Sequence, residues 1–268
     1  MSPLPLHSMA ADATFEHGGN AGLWFDKYFN AYPDDFRGNP DPTRQNEWLD
    51  WMTSQSLGDS LNLQATQRRM ASLAKARHGD VRCFSTSWRM ASGLGNPNPM
   101  GHGFLWHPTL GVPYLAGAGI KGMFRAWLEC WADETYRLKI DEWMGTPERM
   151  GRVSFFDAIP VKPVLVVVDV LTPHYGDWLS GGARIDQVSL ADQWRRIPAD
   201  WHEPIPVKFL AVENATFQVG VAPVSKHDEV DIAEVLEQLG LAFELLGAGA
   251  KTAAGYGRLV LSSPGPAG

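Results

Sequence analysis

The chain has 268 residues, of which 44% are hydrophobic and 20% charged, and its formal net charge is −7. This composition is that of a globular protein with a sizeable core, built as one elaborated domain or two small ones. The sequence contains no run of about 18 apolar residues, and its first residues lack the basic and apolar regions of a secretion signal. We therefore expect a cytoplasmic protein with no membrane contact.

The charge is unevenly distributed along the chain. Residues 61–92 carry six basic side chains against Asp80 alone, whereas residues 1–60 and 213–245 each have a net charge of −6. An acidic balance argues against a simple nucleic-acid binder. The distribution fits either one basic groove with acidic faces that meet basic partners, or a random scatter of charge on a solvated surface.

The first eighty residues are predicted to form a helical extension packed on the core. A turn and helix begin near Asn20, and a Pro- and Asp-rich stretch from Pro33 to Pro42 interrupts the helical pattern. A long basic helix follows at about Asp59–Arg77. The predicted buried stripe of that helix consists of Leu61, Ala65, Met70 and Leu73.

From residue 81 to 268 the pattern predicts a second unit, in which strands and helices alternate. Helices are expected at about 119–133 and 228–246, the second capped by Asp228. Strands are expected at 81–90, 153–158, 164–171, 206–213, 216–221 and 257–261. The order β-α-β-β-β-β-α-β predicts an α+β fold with a ferredoxin-like or RRM-like βαββαβ core and an added hairpin.

Two of these strand predictions are more specific. The apolar run at 164–171 indicates a buried central strand. The strands at 206–213 and 216–221 are expected to pair with each other around the turn Asn214-Ala215. Two long insertions, at about 96–110 and 177–203, carry several aromatic residues, and loops of this length are usually functional or ordered by a partner. We expect one of them to insert between RNA bases or against a neighbouring protein.

A glycine-dense turn, GVPYLAGAGIKGMFR, runs from residue 111 into the first predicted helix of this unit. Backbone amides at Gly117, Gly119 and Gly122 could approach a phosphate closely, helped by the helix N-terminus. Lys121 and Arg125 are one helical turn apart and would share a face. The alternative interpretation is a tight connection between strand and helix with a solvated lysine.

A second glycine-rich segment, GAGAKTAAGYG at 247–257, precedes the last predicted strand. A nucleotide-binding P-loop is excluded, because this segment follows a helix and precedes a strand, the reverse of the order that motif requires. The pattern suits a clamp on a nucleic-acid backbone: amides of Gly247 and Gly249, charge from Lys251, the hydroxyl of Thr252, and stacking by Tyr256. A flexible link is the alternative.

Together the two glycine motifs resemble those of the RAMP proteins of CRISPR systems, which read approximately Pro-x-x-Pro-Gly-Ser-Ser-x-Lys-Gly-x-x-Arg and end in a glycine-rich loop. The segments FFDA from Phe155, DVLTPHY from Asp169 and PIPVKFL from Pro204, together with NAGL from Asn20, are similar to the sixth-subunit family of the type III-B (Cmr) effector. The resemblance runs from about residue 20 to 262. Alanine replaces the second proline, and Ala118-Gly119 replace the serine pair, so two hydroxyl donors are missing.

The resemblance implies a non-catalytic subunit of an antiviral ribonucleoprotein, without cofactor or metal. Such a subunit would cap one end of a backbone assembled on guide RNA, contact the 3′ part of the guide, and take target RNA as a further candidate partner. Its protein partners would be a repeating backbone RAMP subunit, a small helical subunit and other Cmr subunits. Arg89 and His174 join the residues of the glycine motifs as predicted RNA contacts.

Two other functions stay open from the residues. One is a metal-independent endoribonuclease with His174 as the base, and the other is a protein–protein scaffold whose glycine loops only permit close packing. Metal-binding and serine-hydrolase motifs such as HExxH and GxSxG do not occur. Cys83 and Cys130 lie far apart without a CxxC motif, which indicates two reduced thiols, with a disulfide or a zinc site as the alternatives.

Overall fold

The computed structural model describes residues 14–16, 18–29, 41–173 and 206–262, together with 176, 178, 197, 202 and 204. The helices are α1 (Ala21–Lys27), α2 (Pro42–Thr53), α3 (Ser60–Ala76), α4 (Gly117–Cys130), α5 (Glu134–Arg137), α6 (Ile140–Trp143) and α7 (Ile232–Leu245), with a 3-10 turn at Thr252–Ala254. The strands are β1 (Asp80–Thr86), β2 (Arg89–Met90), β3 (Val153–Phe155), β4 (Ile159–Pro160), β5 (Val166–Leu171), β6 (Val207–Glu213), β7 (Thr216–Pro223) and β8 (Leu259–Leu261).

The main sheet has the strand order β8-β1-β7-β3, and β4 also pairs with β7. All of these pairings are antiparallel. Along the chain, the four strands of this path and the helices α4 and α7 follow one another in the order β1, α4, β3, β7, α7, β8. The predicted α+β class is therefore confirmed, and within the described residues none of the helices is both long and apolar enough to cross a membrane.

Helices cover the main sheet on both faces. On one face Phe84 of β1 packs on Phe243 of α7, with ring centroids 5.1 Å apart. On the other face Gln218 of β7 donates to the carbonyl of Gln67 in α3 at 3.1 Å. Because Gln218 pairs with Cys83, the neighbour of Phe84, these contacts lie on opposite sides of the sheet. This double cover explains why β7 is buried along almost its whole length.

A second sheet has the order β2-β6-β5, and it corrects three predictions. The chain turns at Asn214, whose φ is 54°, so β6 and β7 enter different sheets instead of pairing with each other. The predicted strand 81–90 likewise divides between the sheets, since β1 joins one and β2 the other. The apolar run at 164–171 is not a central strand: β5 lies at the edge, and its burial decreases toward Leu171.

Helix α3 turns a different face to the core from the predicted one. Leu61 and Leu73 are 75% and 52% exposed, whereas Leu63 and Ala74 are fully buried. The side-chain amide of Gln67 holds this orientation by donating to the carbonyls of Pro160 and Val161, at 3.2 and 2.9 Å. The positions of the leucines alone therefore predicted the wrong buried face of α3. Gln67, a polar residue with specific backbone partners, lies on the face that α3 turns to the core.

Helices α1 and α2 share one hydrophobic cluster with the main core, through Phe25, Leu49 and Met52. Lys208 of β6 also donates to Asn46 of α2 at 2.7 Å. At the other end of the chain the cap of α7 is Asp231, not Asp228, since the Asp231 carboxylate accepts from the amide of Glu234. Both cysteines are free thiols.

Candidate nucleic-acid interface

The two glycine motifs, well over a hundred residues apart in sequence, both line one open groove of about 620 Å³. The α4 wall presents Gly119, Gly122 and Ala126, and the segment that follows β2 contributes Gly93 to Gly95. The third wall is the glycine-rich loop 247–257, through Gly247, Gly249 and Thr252. Twelve of the eighteen residues that line the groove are glycine, alanine, serine or threonine, and the other six are leucine, isoleucine or methionine.

Gly119 and Gly122 lie on a helix, where the conformation of the chain does not require glycine. A Cβ atom at either position would meet no described atom within 4 Å, so packing does not require glycine there either. Glycine within a helix is less favourable than alanine by roughly 0.5–1 kcal/mol. The two glycines leave the floor of the groove bare, which allows the backbone of a ligand to approach α4 closely.

The glycine-rich loop, in contrast, needs its glycines to fold. Gly247, Gly249 and Gly257 have φ values of 76°, 97° and 73°. A Cβ atom at Gly249 would collide with the carbonyl oxygen of Ala91, and one at Gly257 would collide with that of Ala248. The loop is tied to the strand region of β2, because the Ala250 amide donates to Ala91 at 2.6 Å and the Gly257 amide donates to Arg89 at 2.8 Å.

Lys251 provides the positive charge of this loop. It adopts a left-handed conformation with φ 58°, and its ammonium lies 5.2 Å from the ring centroid of Phe209. Among the described residues, the Lys251 ammonium forms no ion pair with a carboxylate. Burial lowers the pKa of His102, and the nearby Lys251 charge lowers it further. Lys251 itself does not line the groove, but its neighbours Ala250 and Thr252 do, so its charge lies next to the groove.

The cations of the first motif do not face the groove. Neither Lys121 nor Arg125 is among the residues of α4 that line the groove. The Arg125 guanidinium donates to Glu129 at 2.7 Å and to the Gly145 carbonyl at 3.1 Å. The predicted basic face of this motif is therefore separate from its glycine face.

The start of α4 is already occupied by an anion from the chain itself. The amide of Gly117 donates to the carboxylate of Asp157 at 2.7 Å. A side chain at Gly117 would also collide with the carbonyl oxygen of Phe155. Gly117 consequently connects helix and strand tightly, whereas Gly119 and Gly122 line the groove.

Arg89 and Tyr256 belong to a partly buried polar cluster. The Arg89 guanidinium pairs with Asp169 at 2.7 Å and with Glu213 at 3.3 Å. The Tyr256 hydroxyl donates to the same Asp169 carboxylate at 2.5 Å. Partial burial raises the pKa of Asp169, but these two partners outweigh it and hold the pKa below its usual value. Burial and the Asp169 carboxylate raise the pKa of Tyr256 to about 12.

This cluster corrects the predicted role of Tyr256, whereas the RNA contact of Arg89 stays a prediction. The charge of Arg89 is neutralised by two carboxylates, and Tyr256 is only 7% exposed, packed between Trp88 and Phe209. The Tyr256 ring is therefore not open to a base. The exposed aromatic residue here is Trp88, 48% exposed and 4.8 Å from the Tyr256 ring, which the sequence pattern hid within a continuous strand.

The remaining predicted residues divide between buried positions and positions outside the described chain. Phe104 and Trp106, in the insertion at 96–110, are buried and pack on each other with ring centroids 5.1 Å apart. They cannot insert into RNA. His174 and most of 177–203 lie outside the described residues. Where the structure does describe side chains, no group of three or more His, Cys, Asp or Glu is placed to hold a metal ion.

Comparisons with known proteins agree with this geometry. The chain is 37% identical over 123 residues to the CRISPR system Cmr subunit Cmr6 of Pyrococcus furiosus, a match that covers 43% of this chain and 32% of that one. It is 37% identical over 75 residues to the CMR subunit Cmr6 of Saccharolobus solfataricus, covering 27% and 25%. These matched segments therefore span only about a third and a quarter of the two relatives.

Among solved structures, a chain of the Type III-B Cmr-beta complex bound to cognate target RNA has the same fold. It superposes with a TM-score of 0.63 at 23% identity, covering 82% of this chain and 73% of that one. The sequence model of the RAMP superfamily matches residues 85–260, which contain both glycine motifs. The predicted resemblance to RAMP proteins, and to the sixth Cmr subunit among them, is confirmed, and the chain belongs to the RAMP superfamily.

Proposed function

We propose that this protein is an RNA-binding structural subunit of a type III-B CRISPR effector, and that its groove holds the backbone of the guide RNA. The observation that carries the proposal is the joining of two distant glycine motifs into one bare-walled groove beside Lys251. The similarity to two Cmr6 proteins supports the choice of effector.

The lining favours recognition of the sugar-phosphate backbone over recognition of bases. Small side chains let the RNA backbone approach, exposed amides can donate to phosphate oxygens, and Lys251 adds one charge. None of the described residues that line the groove is aromatic, and Tyr256 is buried. A subunit that must accept any guide sequence needs this kind of contact.

The assembly role follows from the resemblance. In our proposal the subunit caps one end of the backbone, contacts the 3′ part of the guide, and packs against a repeating RAMP subunit, a small helical subunit and other Cmr subunits in the cytoplasm. The strand order β8-β1-β7-β3 with α4 and α7 on one face supports a ferredoxin-like core. Residues 1–80 would be its helical extension, and 81–268 the RAMP unit with insertions at 96–110 and 177–203.

We propose no catalytic step for this subunit. The competing proposal, a metal-independent endoribonuclease, depends on His174. Incubating the protein with labelled repeat RNA in a chelator tests it: we expect intact RNA with the wild type and with His174→Ala alike. Cleavage that disappears in His174→Ala would replace our proposal with the enzymatic one.

The groove is tested by filling it without harming the helix. Gly122→Leu puts a large side chain on the groove wall, while leucine is a far better helix former than glycine. We expect this variant to be at least as stable as the wild type and to bind single-stranded RNA at least about ten-fold more weakly, equivalent to about 1.4 kcal/mol. The measurement is a fluorescence titration at several salt concentrations, with unfolding in urea as the stability control.

Ala233→Leu is the matched control for that experiment. Ala233 is exposed on α7 and does not line the groove. We expect its RNA affinity to equal that of the wild type. Equal affinity of Gly122→Leu and the wild type would contradict the proposed groove. If the isolated wild type binds no RNA, the same pair of variants is compared in the assembled complex by guide protection from nuclease, where loss is again expected only for Gly122→Leu.

A further inference from the structure

Trp88 is a half-exposed indole that does not belong to the lining of the groove. It lies at the bend where the chain leaves β1 for β2, and 48% of it is exposed. Among the described residues the groove has no aromatic lining, so any contact with RNA bases must come from a residue outside it. Indole rings combine a large apolar surface with a π-system, which suits them to such a contact.

The backbone on both sides of Trp88 is fixed to the end of the glycine-rich loop. The amide of Ser87 donates to the carbonyl of Arg258 at 3.0 Å, and the amide of Gly257 donates to the carbonyl of Arg89 at 2.8 Å. A side chain held between two such anchors has little freedom to lose when a ligand binds. Trp88 is therefore a preorganised surface.

Two neighbours cover one side of the Trp88 indole. The ring centroid of Tyr256 lies 4.8 Å from that of Trp88, and the guanidinium carbon of Arg89 lies 5.6 Å from it. Both neighbours bond the same oxygen of Asp169, at 2.5 and 2.7 Å. Groups on opposite faces of a ring are separated by two contact distances of about 3.5 Å each, so two partners of one oxygen lie on the same face. The other face of the indole is open to a ligand.

A row of side chains leads from Trp88 to the cation beside the groove. The ring centroids of Tyr256 and Phe209 are 5.8 Å apart, and the Lys251 ammonium lies 5.2 Å from the Phe209 centroid. Lys251 is flanked in sequence by two residues that line the groove. An RNA strand that leaves the groove past Lys251 therefore runs toward the open face of Trp88.

We infer that Trp88 stacks on an unpaired base of the RNA whose backbone lies in the groove. The inference rests on the proposed function and transfers to Trp88 the stacking that the sequence predicted for Tyr256. RNA is favoured over a protein partner, because Lys251 and Arg258, the two cations of residues 251–258, form no ion pair with a carboxylate within the described part of the chain. Every base has a π-face, so this contact adds affinity without selecting a guide sequence.

The test is a fluorescence titration with two labelled strands of equal length and charge, an oligoadenylate and an abasic strand. We expect Trp88→Ala to bind the oligoadenylate about ten-fold more weakly than the wild type, the effect of one stacked base, and Trp88→Phe to keep most of the affinity. On the abasic strand, the wild type and Trp88→Ala should bind equally. Trp131→Ala removes an indole that is 66% exposed and does not line the groove, and it should bind both strands like the wild type.

The abasic strand separates stacking from a loosened loop, because a damaged fold would bind both strands more weakly. Equal weakening on both strands, or no weakening on either, would overturn the inference. Gly122→Leu separates it from the proposed function. If Gly122→Leu loses RNA and Trp88→Ala does not, the groove stands without the stacking; if Gly122→Leu binds like the wild type, the proposed function fails and the inference fails with it.

If the isolated wild type binds no RNA, the same variants are compared in the assembled complex by protection of the guide from nuclease. Protection that decreases with Trp88→Ala and returns with Trp88→Phe would support the inference. Protection equal to that of the wild type would overturn it. A complex that fails to assemble with Trp88→Ala would also overturn it, since the indole would then contact a protein neighbour.

Discussion

The two sides of the groove contain the same residue type for different physical reasons. On the α4 side, Gly119 and Gly122 are helical and touch nothing, so the folded chain gains nothing from their lack of a side chain. On the loop side, Gly249 and Gly257 have positive φ values and lie against carbonyl oxygens, so the fold depends on them. The comparison separates glycines that the fold does not require from glycines that it does.

The same contrast holds for the charged residues of the two motifs. Lys251 on the loop lies beside the groove without a carboxylate partner among the described residues, whereas Arg125 on α4 pairs with Glu129 on another face. A motif read from the sequence therefore mixes residues with different tasks. Stability and RNA affinity should respond differently to substitutions on the two sides, and three measurements test this.

The largest effect is expected at Gly257. Replacing it by alanine forces a side chain into a conformation with φ of 73° and against the Ala248 carbonyl. We expect the free energy of unfolding to fall by about 2–4 kcal/mol, from backbone strain and overpacking. Urea unfolding measures it. Gly119→Ala is the matched change on the other side and should stabilise the protein by roughly 0.5–1 kcal/mol. If both substitutions destabilised the protein equally, the proposed difference between glycines that the fold requires and glycines that it does not would be contradicted.

The sequence predicted the elements much better than their assembly. The amphipathic pattern of α7 and the β-rich runs of β6 and β7 are local, so these elements form close to the expected residues. Which sheet a strand joins depends on contacts far away in the chain, and a single left-handed residue, Asn214, sends β6 and β7 apart.

The candidate site was predictable to the same degree. Glycine-rich segments reveal themselves by composition, and both of them line the groove. The buried state of Tyr256 was not visible, because it depends on an Asp169 carboxylate that is 87 residues away. The exposure of Trp88 also depends on how distant segments pack, so the sequence did not predict it.

The second prediction concerns the hydrogen bonds to Asp169 that hold the glycine-rich loop in place. Asp169 receives hydrogen bonds from Tyr256 and Arg89, so Asp169→Asn should lower the free energy of unfolding by about 1–3 kcal/mol at neutral pH. Tyr256→Phe keeps the ring and loses one hydrogen bond, so about 0.5–1.5 kcal/mol is expected. The pKa of Asp169 is lower in the folded chain than in the unfolded one, where it is about 3.9.

The difference in stability between the wild type and Asp169→Asn changes with pH in a direction that the lowered pKa of Asp169 determines. Because Asp169 binds a proton more readily in the unfolded chain, acid favours unfolding. The stabilisation by Asp169 is therefore complete above its pKa in the unfolded chain, and it is lost as the pH falls through its pKa in the folded chain. The advantage of the wild type over Asp169→Asn should therefore shrink below about pH 4. Urea unfolding across this range measures it. An advantage that grows in acid would show that the carboxylate is not held in its charged form.

The smallest effect, and the one most specific to RNA, is expected at Lys251. If its ammonium contacts one phosphate, Lys251→Ala should reduce the log–log salt slope of single-stranded RNA binding by about 0.7. Lys121→Ala removes the same charge from α4, about 160° and 100° around the helix from Gly119 and Gly122, and should leave the slope unchanged. Titration of labelled RNA with the two variants at matched salt concentrations decides between them. Equal loss would mean that the RNA path follows the basic face of α4, and that Gly119 and Gly122 are bare for another reason.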